Sequence, residues 1–116
     1  MPRVKTGFTR RRRHKKILDK NKGYWGSRSK LYRIAHEAYV RAGEHAFKGR
    51  KEKKRDFKRL WIQRINAGLN EVGIKYSIFM AKMKKSKIEL NRKMLSELAV
   101  NDFETFKKVV EKVNKD

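Results

Sequence analysis

The residues best able to do chemistry in this chain are cations. Arg10-Arg11-Arg12-Arg13-His14-Lys15-Lys16 is an unbroken basic run, and between Lys48 and Arg59 eight of twelve residues are Lys or Arg, interrupted by Gly49, Glu52, Asp56 and Phe57. A guanidinium offers a planar fork of donors that matches phosphate oxygens in pairs, and an ammonium supplies a mobile point charge. Residues 1–58 hold 21 Lys and Arg against 5 Asp and Glu, a formal +16, whereas residues 59–116 hold 13 against 7. The whole chain is +22 over 116 residues. Charge at that density repels itself until a polyanion neutralises it. If about ten phosphates are contacted, counterion release gives a log–log salt slope on the order of −7 to −9.

Two aromatics lie among the cations. Gly23-Tyr24-Trp25-Gly26 sits between Lys22 and Arg28. Such rings can stack on a base or pack on a ribose; the plainer alternative is a small apolar plug against the following helix. Flexible Arg-rich segments with interspersed aromatics suit the irregular cavities of folded RNA, where bases are splayed. No zipper, zinc finger or other duplex-reading module is present. A DNA-compacting or membrane-surface basic helical protein is the alternative reading.

Catalytic and metal-binding patterns fail one by one. His36-Glu37 begins an H-E-x-x-H zinc motif, but the second histidine position is Val40. His14, His36 and His45 are separated by 22 and 9 residues, and there is no cysteine to complete a ligand set. Neither a phosphate-binding G-x-x-x-x-G-K-[ST] loop nor a G-x-S-x-G elbow occurs. Glu37 and Glu44 read as helix-solubilising partners for Arg33, Arg41 and Lys48 rather than as an acid/base pair. The expectation is a non-enzyme with no catalytic residues, cofactor, metal or small-molecule substrate.

The elements that must carry these cations follow from composition and period. With 38% hydrophobic and 40% charged residues, the chain cannot sustain one core throughout. Residues 1–26 read as a flexible arm, disordered until a partner neutralises it. A long helix is expected from about 27, with Ser27 or Ser29 as N-cap and Leu31, Ala35, Ala38, Ala42 and Ala46 as a narrow apolar stripe. Gly43, Gly49 and Gly68 leave its continuity to residue 72 open. From Leu60 the pattern widens to Trp61, Ile62, Ile65, Leu69 and Val72, with Gly73 as a stop. A second helix fits Ser77 to Lys85; Ser86-x-x-Glu89 and Asn101-x-x-Glu104 resemble capping boxes for a third and a fourth. The fold class is therefore all-α: a long basic N-terminal helical extension (1–58) followed by a small C-terminal helical bundle (59–116). No apolar run reaches the roughly 20 residues of a membrane span and no secretory signal is evident, so a cytoplasmic protein is expected.

Several segments together resemble one family. They are Pro2-Arg3-Val4-Lys5, Arg13-His14-Lys15-Lys16-Ile17-Leu18, Lys22-Gly23-Tyr24-Trp25-Gly26-Ser27-Arg28-Ser29, Lys53-Lys54-Arg55-Asp56-Phe57-Lys58-Arg59-Leu60-Trp61-Ile62, Arg64-Ile65-Asn66-Ala67, Gly73-Ile74-Lys75-Tyr76-Ser77 and Leu98-Ala99-Val100. In order and almost end to end, they are similar to the bacterial large-subunit ribosomal protein L-twenty family. Tyr24-Trp25 departs from it, since members often have Tyr-Tyr or Tyr-Phe there. The resemblance implies direct binding to 23S rRNA, a role early in large-subunit assembly, neighbouring large-subunit ribosomal proteins as partners, and a helical extension threaded into rRNA. In some members it also implies that the C-terminal domain binds a leader mRNA and represses its own operon. Carried over as a group, the rRNA-binding residues are Arg3, Lys5, Arg10, Arg11, Arg12, Arg13, His14, Lys15, Lys16, Lys22, Tyr24, Trp25, Arg28, Lys54, Arg55, Arg59 and Arg64.

Overall fold

Five α-helices and one 3-10 turn make up the chain in a computed structural model that describes residues 1–115. They are α1 (Gly7–Lys20), the turn Gly26–Ser29, α2 (Tyr32–Val72), α3 (Tyr76–Lys85), α4 (Arg92–Asn101) and α5 (Phe103–Lys115). No strand occurs among the described residues, so the all-α expectation holds. The chain divides into two compact units, Met1–Lys51 and Glu52–Asp116.

In the first unit the basic run is helical, where the sequence suggested a flexible arm. Helix α1 has one more buried side, His14, Ile17, Leu18 and Asn21, at spacings i, i+3, i+4 and i+7. That side supplies what the like charges cannot. His14 stacks on Tyr32 with ring centroids 3.7 Å apart and planes 13° from parallel. Asn21 is fully buried, and its Nδ2 donates to the carbonyls of Arg28 (3.1 Å) and Ala35 (2.6 Å). One amide thus ties the end of α1 to the 3-10 turn and to the first turns of α2. The reverse orientation would set Oδ1 against two carbonyl oxygens, so the amide has one acceptable placement.

The long helix begins at Tyr32, not near residue 27. Gly26 sits at φ +64°, in the left-handed region, and starts a 3-10 turn instead. Neither Ser27 nor Ser29 caps α2: the Ser29 hydroxyl donates back to the Gly26 carbonyl at 3.1 Å. Once started, α2 runs 41 residues without a break, through Gly43, Gly49 and Gly68. Ala35 is fully buried on it, Ala38 and Ala42 are half-buried, and Leu31 and Ala46 are exposed.

The second unit has its own core. Ile65 and Leu69 of α2, Phe79 and Met83 of α3, Leu95 of α4, and Phe106, Val110 and Val113 of α5 are all buried. Helix α5 packs against both α3 and α4, and its buried residues recur at intervals of three and four, one face of a helix. Of the Leu60-Trp61-Ile62 cluster, Leu60 is exposed and the other two are half-buried, so the core proper starts at Ile65.

The connections are closed by specific caps. Gly73, at φ +82°, ends α2: its N–H donates to Asn70 O (3.1 Å) and the Ile74 N–H to Leu69 O (3.0 Å), while Ile74 packs against the core. Helix α3 ends in the same way, but Lys87 occupies the left-handed position at φ 53°. The helix starts differ from the sequence reading. Asn91, not Ser86, caps α4, accepting from the Met94 N–H at 2.9 Å. Asp102, not Asn101, caps α5, accepting from the Thr105 N–H (3.1 Å) and hydroxyl (2.5 Å). Neither observed cap has Glu or Gln three residues on; the cap belongs to the residue with extended or otherwise non-helical backbone just before the helix.

Candidate nucleic-acid interface

The basic residues are displayed by helices with almost nothing folded over them. Successive residues on α1 turn by 100°, so Arg10 to Arg13 point in four directions around it. All are exposed, as are Arg3, Lys5, Lys15, Lys16, Lys22 and Arg28. Among the expected contacts only His14 is half-buried, against Tyr32; Tyr32 in turn has His36 at 5.7 Å, tilted by 39°. In the second unit Lys54, Arg55, Arg59 and Arg64 are exposed along α2, and Arg59 lies 3.7 Å from Asp56 in an exposed i,i+3 pair. Exposed pairs of this kind hold a side chain only weakly.

The two aromatics of the turn differ in exposure. Tyr24 N–H donates to Asn21 O at 3.0 Å, and Gly23, at φ +86°, lets the chain reverse there. Trp25, 91% exposed, is no apolar plug, whereas Tyr24, 36% exposed, lies partly against the following helix. Tyr24 and Arg28 line one open groove of about 480 Å³ with residues of α2. Lys20 donates to the Tyr39 hydroxyl at 3.0 Å, and that hydrogen bond, with the ammonium charge, holds the Tyr39 phenol below its ordinary range.

Sequence reasoning missed two features. The α2 wall of the Tyr24 groove was assigned to charge pairing: Glu37 was expected to pair with Arg33 or Arg41, yet it has no ion pair among the described residues. The signal was present as two parallel rows at i, i+4, i+8, Ile34-Ala38-Ala42 and Glu37-Arg41-His45. The second feature is Trp61, half-buried and lining two shallow grooves. One, of about 370 Å³, includes Arg64, Lys93 and Glu97; the other, of about 280 Å³, includes Lys58, Asn91 and Arg92. No spacing rule on one helix reveals these, because α4 and its cap supply the facing wall of each. No cluster of three or more His, Cys, Asp or Glu that could hold a metal ion exists among the described residues, and no helix there is long and apolar enough to cross a membrane.

An all-α chain with cations on exposed helical surface, and a core confined to its second unit, has the build of a protein that binds a polyanion along its surface. Comparison with known proteins makes the class specific. The family model described as Ribosomal protein L20 matches residues 3–109. A large ribosomal subunit protein bL20 from Herminiimonas arsenicoxydans is 54% identical over 97% of this chain and 95% of its own length. The proteins of the same name from Caldanaerobacter subterraneus subsp. tengcongensis and Hahella chejuensis are 54% and 48% identical, over 95% and 97% of this chain and 92% and 95% of their own lengths. The chain belongs to the ribosomal protein L20 family. Members of that family are structural constituents of the large ribosomal subunit in the cytoplasm, not enzymes.

Proposed function

We propose that this protein binds 23S rRNA directly and promotes early assembly of the large subunit, with other large-subunit ribosomal proteins as neighbours. The basic extension of residues 1–58 carries the RNA contacts, through Arg3, Lys5, Arg10 to Arg13, His14, Lys15, Lys16, Lys22, Tyr24, Trp25, Arg28, Lys54 and Arg55. Arg59 and Arg64 extend them into the globular part, residues 59–116. The observation that carries this reading is the exposure of every one of these residues but His14, on surface with a large excess of positive charge. Exposed cations bind phosphates without first breaking internal pairs, and the largely exposed Trp25 offers a face on which a base can stack. The test compares the full chain with a 23S rRNA fragment, duplex DNA of equal charge and anionic vesicles at physiological salt. Preference for the rRNA fragment is expected; preference for DNA or vesicles overturns the reading.

A second reading rests on the other unit. Its core is built from its own residues, and the Trp61 grooves are edged by Lys58, Arg64, Arg92 and Lys93. This surface suits a second RNA, the leader of the protein's own messenger, and repression of its translation. Arg92→Ala with Lys93→Ala should relieve repression of a leader-fused reporter; unchanged repression removes this role from the surface.

A further inference from the structure

The groove at the aromatic turn has a composition that phosphate binding alone does not explain. Its α2 wall carries two rows. Ile34, Ala38 and Ala42 form an apolar strip, and two of the three are too small to obstruct a flat ring. Glu37, Arg41 and His45 run beside it. Tyr24 and Arg28 face these rows from the turn, where Gly23 and Gly26 take left-handed backbone and the buried Asn21 amide fixes Arg28 and Ala35 by their carbonyls. The volume, about 480 Å³, lies within the range of pockets that hold small ligands, about 300–1,000 Å³.

Glu37 is the residue that discriminates. Residues 1–51 contain 17 Lys and Arg and only three acidic residues, Asp19, Glu37 and Glu44. A carboxylate there opposes an RNA backbone, and this one has no ion pair among the described residues to account for it. A carboxylate accepts hydrogen bonds and donates none, so it fits a ligand edge rich in donors. Among the RNA bases, guanine alone presents two adjacent donors, N1–H and the N2 amino group, on its Watson–Crick edge, which a carboxylate can accept together. Adenine, cytosine and uracil each present one donor group beside acceptors.

We propose that this groove holds one unstacked guanosine of a bound RNA, with its base on the Ala38–Ala42 strip beside Tyr24, its Watson–Crick edge on Glu37 and its flanking phosphates at Arg28 and Arg41. The proposal rests on the RNA-binding reading and adds a base-specific contact to it. Splayed bases stacked on aromatic side chains and read along that edge are the usual mode of sequence-specific RNA recognition.

The test uses the full chain and four five-nucleotide RNAs, uridine throughout except for a central guanosine, adenosine, cytidine or uridine. Affinities are measured by anisotropy of a labelled strand. The guanosine strand should bind at least about fivefold more tightly than the other three, the low end for a bidentate base contact. Glu37→Gln removes a negative charge, so a purely electrostatic Glu37 predicts equal tightening for all four strands. The proposal predicts instead that the three other strands tighten while the guanosine preference collapses. Ala42→Leu, which fills the floor, should abolish the preference and leave the salt slope unchanged. Equal binding of all four strands by the unaltered chain, or equal tightening in Glu37→Gln, overturns the guanosine site. In that outcome salt-dependent binding of every strand leaves general RNA binding standing, whereas loss of binding to every strand sinks both.

Discussion

Gly68 offers a test of how α2 is held against its neighbours. It lies buried near the C-terminal end of α2, and a Cβ added there would come 3.0 Å from Phe106 Cε1, 3.3 Å from Ala99 Cβ and 3.5 Å from Phe106 Cζ. Carbon pairs are comfortable at about 3.5–4.0 Å, so two of these approaches are too short. The Phe106 ring cannot easily yield. It is fully buried, with the Phe103 ring centroid 6.0 Å away and that of Phe79 6.5 Å away. Two effects then oppose each other in Gly68→Ala. Helix propensity favours alanine by about 1 kcal/mol. Overpacking a filled core costs about 1–3 kcal/mol. The net expectation is a loss of about 1 kcal/mol, in a helix where Gly43→Ala, with nothing within 4 Å of the new carbon, should gain about that much. Urea unfolding of the full chain followed by circular dichroism measures the change. On a Phe106→Leu background the shortest approach is removed while that to Ala99 Cβ remains, and Gly68→Ala should become less unfavourable, a coupling of about 1 kcal/mol. If Gly68→Ala stabilises by about 1 kcal/mol and shows no coupling to Phe106, the close approach of α2 to α4 and α5 is refuted as the reason for this glycine.

Two further outcomes are expected at the caps. Lys87→Gly relieves a left-handed backbone at φ 53° and should stabilise by about 0.5–1 kcal/mol after allowing for the freer unfolded chain, read as a higher urea midpoint; a lower midpoint contradicts the strain. The Asp102 carboxylate is held below the ordinary aspartate range, first by the Thr105 hydroxyl, then by the Thr105 N–H. Its folded-state value lies below its unfolded one, so its contribution is complete above the unfolded value and disappears as pH falls through the folded one. The deficit of Asp102→Ala in urea midpoint should therefore be largest near neutral pH and shrink in acid below the ordinary aspartate range; a deficit that does not change with pH assigns the cap no charged component.

Legibility followed the type of signal. The core-forming segments of α2, α3, α4 and α5 could be read because Ile65 and Leu69, Phe79 and Met83, Leu95 and Leu98, and Phe106 and Val110 recur at helical spacing. Gly73 could be read because its stop closes locally, between residues 69 and 74. The caps at Asn91 and Asp102 are not legible as capping boxes because the residues three on are Met94 and Thr105, whereas Ser86 and Asn101 carry the Glu without starting a helix. Helix α1 is not legible from its own residues, because its stabilising contacts come from Tyr32 and Ala35, beyond the run of like charges. The cationic residues were plain from type alone. Glu37 and Trp61 were not, since one looked like a solubilising charge and the other like core, and only neighbours from the 3-10 turn and from α4 show the grooves they border.

The division into two units also fixes an order in time. Synthesis delivers residues 1–51 first, and they need nothing downstream for their own contacts: the His14–Tyr32 stack and the Asn21 bonds close within the first 35 residues. The core of the second unit cannot close until Phe106, Val110 and Val113 have been made. At about 5–20 residues per second, that leaves several seconds in which the cationic segment is out and the apolar one is incomplete. A nascent chain of this sequence thus presents its cationic segment before its core exists, and the exposed apolar faces of α3 and α4 wait for α5 to cover them.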